Sequence, residues 1–438
     1  WAKYAHGMMD GSQFDRDSYA VKFERAHLSP VVEKLTLNFN NDTIDHIMDN
    51  YTFRPGGMMG TDVKRVQYGM RAVTDLRFSP QTTAAVGIDL RRDAHYFAEA
   101  HRRLKGSPNN DMDIKNFGIF LEYNRDLTER SRLRTGLRYD RTETDYHNAR
   151  FRNGMGMLMR NLVPGSASDH AVSGFVRWER TAKKQPLTFY VGLGHAERPA
   201  DYWEAYHTWA AYSNRRLGMH AAPAATRPRK EKNTQLDLGW VYAGEKTNAS
   251  LSLYYAHIHD FILRLPQIGM GMNARTPYGN VNARLYGFEA EVTRTVSPRW
   301  TLGASLAYTR GDDRTNDAPL PQIAPLEANL TAKYSHKKAE ANAVWRLVSK
   351  QNRYHKGYGS VTGTDYGPTG GFGILSLSLA YRPDENLTFS LGVDNLLNKT
   401  YAEFVNYSEA AIPALGISAG GHITEPGRTI WLKGSCKF

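Results

Sequence analysis

Short stretches of period-two alternation recur along the chain, and they constrain its fold more than any other feature. In the stretch 236–242, Leu236, Leu238 and Trp240 alternate with polar or small residues. Such alternation puts apolar side chains on one face of a β-strand and polar ones on the other. Further apolar faces of this kind are Ala249, Leu251, Leu253 and Tyr255; Leu302, Ala304, Leu306 and Tyr308; Ile430, Leu432, Gly434, Cys436 and Phe438. The sequence therefore predicts an all-β protein.

Hydropathy decides what kind of β protein to consider. The 438-residue chain is 41% hydrophobic with a mean hydropathy of -0.55, and its apolar runs are far shorter than the about 20 residues that a membrane-spanning helix needs. A barrel needs apolar residues only at alternate positions, because a polar lumen face alternates with the lipid face. The 25 tyrosines suit aromatic girdles. Composition alone fits a soluble β protein equally well, so the alternation carries the prediction of a transmembrane antiparallel β-barrel.

The connections between the alternating segments are of two kinds, and this asymmetry predicts an orientation. Tight connections at 28–30, 79–81, 296–299 and 382–386 alternate with long polar ones. Outer-membrane barrels have short periplasmic turns and long extracellular loops. Counting the segments predicts about 17 or 18 strands. Residues 1–438 are therefore interpreted as one barrel domain in the outer membrane of a Gram-negative bacterium.

Charge and motifs limit the partners and activities. The net charge of +12 favours the phosphate-rich lipopolysaccharide and the membrane lipid as partners, and no nucleic-acid-binding motif accompanies it. The Ser, His and acidic residues show no recognisable catalytic pattern of a nucleophile with an oriented base, so we expect no enzyme. The single cysteine, Cys436, excludes an intramolecular disulfide.

Several motifs in the closing part of the chain resemble those of the TonB-dependent outer-membrane receptors. The segments are 282–289 (NARLYGFE), 319–325 (PLPQIAP), 391–401 (LGVDNLLNKTY) and 427–430 (GRTI), followed by Phe438. The resemblance implies a plugged barrel of about 22 strands, preceded by a plug domain and a segment that contacts TonB. Neither is recognisable here, so we expect the C-terminal barrel portion of a receptor, without its plug.

Within that family, segments 7–15 and 45–51 resemble the copper receptors. The resemblance implies that His46 and Met48 form the barrel half of a metal site, whose other half is a cysteine and a methionine on the plug. Cys436 is not expected to replace the plug cysteine, because it shares the lipid face of the last strand with Phe438.

The strand register provides a separate argument about these two residues. If Leu35, Leu37 and Phe39 face lipid, His46 and Met48 project together into the lumen. Imidazole and thioether suit copper, and soft sulfur favours Cu(I). The alternative is that His46 is a hydrogen-bonded lumen residue and Met48 only packs.

Other potential metal ligands lie outside this pair. Methionines in long loops could capture copper transiently, or could serve as adaptable apolar residues; they are Met58, Met59, Met155, Met157, Met159, Met270 and Met272. His257 and His259 have same-face spacing that could bind zinc or copper. Their register continues a lipid-side set, which favours an interfacial role.

Three functions remain open from the sequence. The first is uptake of copper ions, driven by TonB acting on the plug. The second is uptake of a ferric siderophore or another metal chelate, for which Tyr202, Trp203, Tyr206 and Trp209 could line an aromatic mouth. The third is a passive porin-like barrel.

Overall fold

The computed structural model consists almost entirely of antiparallel β-strands. It describes residues 10–53, 57–101, 108–147, 150–152, 158–160, 165–205, 227–266, 277–361, 363–406 and 422–437. Twenty strands belong to one sheet, and two more form a separate hairpin. Within these residues, no helix has the length and apolar character needed to cross a membrane.

The strands are, in chain order, β1 (Asp10–Ala26), β2 (Val32–Asp49), β3 (Met59–Ser79), β4 (Thr82–His101), β5 (Asn109–Thr128), β6 (Ser131–Tyr146), β7 (Arg150–Arg152), β8 (Leu158–Arg160), β9 (Gly165–Thr181), β10 (Leu187–Arg198), β11 (Glu231–Ala243), β12 (Thr247–Arg264), β13 (Tyr278–Thr295), β14 (Trp300–Asp313), β15 (Ala318–Pro319), β16 (Glu327–His336), β17 (Ala339–Val348), β18 (Gly359–Ser360), β19 (Gly363–Thr364), β20 (Phe372–Tyr381), β21 (Leu387–Asp394) and β22 (Thr429–Cys436). Seventeen of these described strands have eight or more residues. The predicted count of about 17 or 18 is therefore confirmed.

Each long strand pairs with the next long strand along the chain, from β1 to β22. The connections alternate between short turns, such as 80–81 between β3 and β4, and long loops, such as 199–230 between β10 and β11. Short strands β15, β18 and β19 are formed where long loops fold against the wall. The sheet is thus a meander with its long loops at one end.

The two faces of the wall differ as the alternation predicts. Leu238 on the outer face is 42% exposed, as suits contact with lipid. The inner face carries ion pairs, in which the Arg138 guanidinium lies 2.6 Å from Asp89 and 2.7 Å from Asp140. The guanidinium of Arg71 lies 4.7 Å from the ring centre of Phe120. The inner face of the wall is therefore stabilised by ion pairs and by the backbone hydrogen bonds between strands. A sheet in a soluble protein would instead pack an apolar core against that face.

Buried apolar clusters lie instead at the long-loop end. One contains Met112, Tyr146, Tyr202 and Ala205. A second joins β12 and β13 to the loop after β14; it contains Leu263, Val281, Ala283 and Leu320. These clusters fix parts of the long loops against the strands, so this end of the barrel has defined side-chain geometry.

Candidate metal centre

His46 and Met48 lie near the long-loop end of β2, on its inner face. Phe39 is paired with Val21 of β1, and both point outward, with Phe39 47% exposed. Because successive side chains alternate across a strand, the even-numbered residues of β2 point into the lumen. His46 and Met48 therefore share the lumen face at a spacing of two residues.

The imidazole of His46 has an unsatisfied nitrogen. Its Nδ1 is buried and has no hydrogen-bond partner. The ring lies 6.2 Å from that of Phe14 and is opposite Val63 in the register with β3. Leaving a buried nitrogen unpaired costs about 1 to 3 kcal/mol, and a bound metal ion would remove that cost. Met48 is 36% exposed, so its thioether can reach a ligand in the lumen.

A second histidine on the inner face was not singled out from the sequence. His95 of β4 is buried, and its Nδ1 lies 2.7 Å from Oδ1 of Asp111. The phenol of Tyr202 donates to Oδ2 of the same carboxylate over 2.6 Å. The rings of His95 and Tyr202 stack with centres 3.6 Å apart. The alternation of Val86, Ile88 and Leu90 on the outer face of β4 could have placed His95 inside, but nothing local in the sequence pairs it with Asp111.

The described residues do not bring together three or more His, Cys, Asp or Glu side chains in a metal-binding arrangement. A metal site that used the imidazole of His46 and the thioether of Met48 would therefore need further donors. Such a mixed nitrogen and sulfur set suits copper better than calcium or magnesium, which prefer oxygen.

Among the loop methionines, Met58 has a described side chain, which is exposed at the end of the loop between β2 and β3. Met59 begins β3 and Met159 lies in β8, but their side chains are outside the described residues. Met155, Met157, Met270 and Met272 also lie outside them. A role for these methionines in capturing copper therefore stays a prediction.

His257 and His259 lie on the outer face of β12, in line with Leu253 and Tyr255. Their ring centres are 4.4 Å apart in an edge-to-face arrangement. Cys436 is exposed on the outer face of β22, opposite Leu387. These three side chains point away from the lumen and from His46.

Two of the four aromatic residues considered for a chelate-binding mouth are described, and both pack into the wall. Tyr202 is buried, and Trp203 packs against the cluster that contains it; Tyr206 and Trp209 lie outside the described residues. The helical turn 202–205 is fixed by Arg198, which donates to Glu204 over 2.8 and 3.0 Å and to Glu231 over 2.9 Å. Burial raises the pKa of Glu204, although the hydrogen bonds from Arg198 oppose this shift.

The fold agrees with comparisons to known proteins. The family described as TonB dependent receptor-like, beta-barrel matches residues 3–396, and this chain belongs to that family. Members of the family are outer-membrane transport proteins of Gram-negative bacteria and are not enzymes. The sequence-based predictions of the family, the barrel fold, the location and the absence of enzymatic activity are therefore confirmed.

Within this family, the chain is similar to receptors for more than one kind of cargo. The structure of the copper transporter OprC is 34% identical, with a TM-score of 0.88 over 98% of this chain and 68% of that protein. The ferric-catecholate import receptor Fiu from Escherichia coli K12 has the same fold, with 14% identity and a TM-score of 0.70 over 97% of this chain and 64% of that one. The catecholate siderophore receptor Fiu of E. coli K12 also matches in sequence, 23% identical over 372 residues, which is 80% of this chain. The chain spans about half the length of that curated relative, 46%.

Proposed function

We propose that this chain forms the barrel wall of a TonB-dependent receptor for the uptake of copper ions, in which His46 and Met48 bind the metal. The observation that carries the proposal is the buried, unpaired Nδ1 of His46 beside a partly exposed thioether on the same inner face. Similarity to the copper transporter OprC supports the same cargo. The thioether favours Cu(I) over Cu(II).

The remaining parts of the mechanism are proposed on the same basis. Two side-chain donors leave copper incompletely coordinated, and a cysteine and a methionine from a plug domain would complete the site. TonB would act on that plug to release the ion toward the periplasm. The exposed Met58 and the other loop methionines would capture copper at the mouth, and the cationic chain would contact lipopolysaccharide phosphates and membrane lipid around its outer face.

Copper titration of the complete receptor, plug included, tests the metal site. Wild type is compared with His46→Ala and Met48→Ala under reducing and oxidising conditions, and bound copper is measured after desalting. We expect one tightly bound ion in wild type, strongly weakened binding in both variants, and tighter binding under reducing conditions. His259→Ala serves as the control because this histidine is exposed on the outer face. If His46→Ala and Met48→Ala bound as much copper as wild type, the proposal would be contradicted.

Uptake of a ferric chelate is the second candidate, supported by the sequence match to a catecholate siderophore receptor. It requires no direct contact between a metal ion and His46. To test it, a ferric catecholate is added and the quenching of tryptophan fluorescence is measured. Quenching that is the same in wild type and His46→Ala, with no copper binding in either protein, would favour this function over copper uptake.

A further inference from the structure

The outer face of β4, β5 and β6 changes from apolar to cationic at one height. The last apolar or aromatic residues of this face are Leu90, Phe117 and Tyr139, and the next outward-facing residues toward the long loops are Arg92, Lys115 and Arg141. We call these last three residues the cationic triad. Because the long loops mark the extracellular end of such a barrel, the triad lies at the level of the head groups of the outer leaflet.

The triad places like charges next to each other on the sheet. Arg92 is directly opposite Lys115 in the pairing of β4 with β5, and Arg141 is opposite Phe117, the next outward-facing neighbour of Lys115. Like charges at directly opposite positions of a strand pair are destabilising. The three side chains are each about half exposed. An anion bound among them would relieve their repulsion.

The carboxylates that contact the triad lie on its loop side. The ion pairs are Arg92 with Asp113 at 3.3 Å, Lys115 with Asp145 at 3.0 Å and Arg141 with Glu143 at 2.6 Å. In the register, each of these carboxylates is displaced from its cation toward the loop end of the strands. An anion that approaches from the membrane therefore meets the cations before the carboxylates.

An apolar cavity lies on the outer face on the membrane side of the triad. Its volume is about 790 Å³, which is within the usual range for sites that bind small molecules. All three triad residues border it, and its apolar lining includes Phe39, Met70, Leu90 and Phe117. A cavity that is apolar toward the membrane and cationic toward the loops is complementary to a lipid with a phosphorylated head group.

We propose that the cationic triad binds a phosphate group of lipid A, the membrane-embedded part of lipopolysaccharide, with an acyl chain of the lipid in the apolar cavity. This inference rests on the proposed contact of the chain with lipopolysaccharide and assigns that contact to one site. Lipid A is favoured over other phosphorylated lipids because the triad is at the extracellular end of the strands, where lipopolysaccharide forms the leaflet.

Native mass spectrometry of the complete receptor, titrated in detergent with lipid A that carries two phosphates, tests the site. The variant replaces all three triad residues, as Arg92→Gln, Lys115→Gln and Arg141→Gln. A Lys or Arg near an anionic surface contributes about 1 kcal/mol, which is about 5-fold in affinity for each residue. We therefore expect lipid A to bind on the order of 100-fold more weakly to the triple variant.

The matched control removes three cations at the other end of the barrel. It combines Arg130→Gln, Lys184→Gln and Arg299→Gln, which are exposed in short turns and change the net charge by the same amount. We expect this control to bind lipid A as wild type does. Lipid A without phosphates should bind more weakly to wild type and equally well to wild type and the triad variant.

The outcomes separate this inference from the proposed function. Equal lipid A affinity in wild type and the triad variant would overturn the site and leave a general contact with lipopolysaccharide, whereas a wild type that binds no lipid A would overturn both. Neither result bears on copper binding at the inner face. Equally tight, triad-dependent binding of phosphatidylglycerol or inorganic phosphate would overturn the assignment to lipid A. If the triple variant does not fold, Lys115→Gln with Arg141→Gln leaves the ion pair of Arg92 with Asp113 intact and should weaken binding about 25-fold.

Discussion

Tyr202 donates a hydrogen bond to Asp111 over 2.6 Å, although 91 residues separate them in the chain. The bond joins the loop that follows β10 to the beginning of β5. Ala205 reinforces it by packing in the same buried cluster as Met112. This part of an otherwise long external loop therefore belongs structurally to the barrel wall.

Loss of that phenol should loosen the loop without unfolding the barrel. In Tyr202→Phe, a buried carboxylate oxygen loses its partner, which costs about 1 to 3 kcal/mol. We expect faster amide hydrogen exchange in residues 198–205 and unchanged exchange in β3. Tyr68→Phe is the control, because Tyr68 is exposed on the outer face. Equal exchange in wild type and Tyr202→Phe would show that the hydrogen bond does not hold the loop.

The same loop should respond to pH through Glu204. Its pKa is raised by burial, so the folded loop binds a proton more readily than the free chain does. The stability from this group is fully present below its ordinary pKa of 4.5 and is lost as pH rises through the raised pKa. Hydrogen exchange of 198–205, corrected for intrinsic rates between pH 4 and 8, measures this loss. Glu204→Gln should abolish the dependence; a wild-type loop that tightens as pH rises would contradict the assignment.

Gly287 should not tolerate a side chain, because a Cβ there would overlap the backbone oxygen of Tyr308 and would lie 2.6 Å from the phenol oxygen of Tyr254. We expect Gly287→Ala to lower the unfolding temperature of the barrel in detergent, since backbone on the neighbouring strand must move. Gly434→Ala is the control, with no atom within 4 Å of the added carbon. Equal unfolding temperatures in the two variants would refute this packing.

Adjacent residues of β11 offer a test of the two faces. Leu238→Arg puts a charge on the lipid side, at a cost of up to about 2 to 4 kcal/mol near the membrane midplane. Asp237→Arg puts the same charge on the lumen side, where water and other ion pairs accommodate it. Denaturant unfolding in lipid vesicles should show a larger loss for Leu238→Arg. A larger loss for Asp237→Arg would reverse the assigned faces.

Strands and their faces could be predicted because both depend on local information. Alternation around Leu238 and a turn between two segments need only a few neighbouring residues, and the predicted number of long strands was therefore confirmed. The two-residue strand β15 was not predicted, since it exists only because the loop after β14 folds back on that strand.

The grouping of His95, Asp111 and Tyr202 could not be predicted for the same reason. It depends on a register shift next to His95 in the pairing of β4 with β5 and on a loop from another part of the chain. The lumen position of His46 and Met48 followed from period two alone. Their role in binding copper stays a prediction, because the strand register determines the direction in which a side chain points but not the ligand that it binds.

The pairing of each long strand with its chain neighbours has a consequence for how this protein can change over evolution. A meander of this kind is assembled from successive hairpins, and lengthening a loop between two strands adds only a small entropic cost. Insertions, deletions and sequence drift in the external loops can therefore proceed while the register of the wall is preserved. Related barrels can therefore come to bind a new cargo through changes in the loops and at a few lumen residues, while the strand pairing of the wall stays the same.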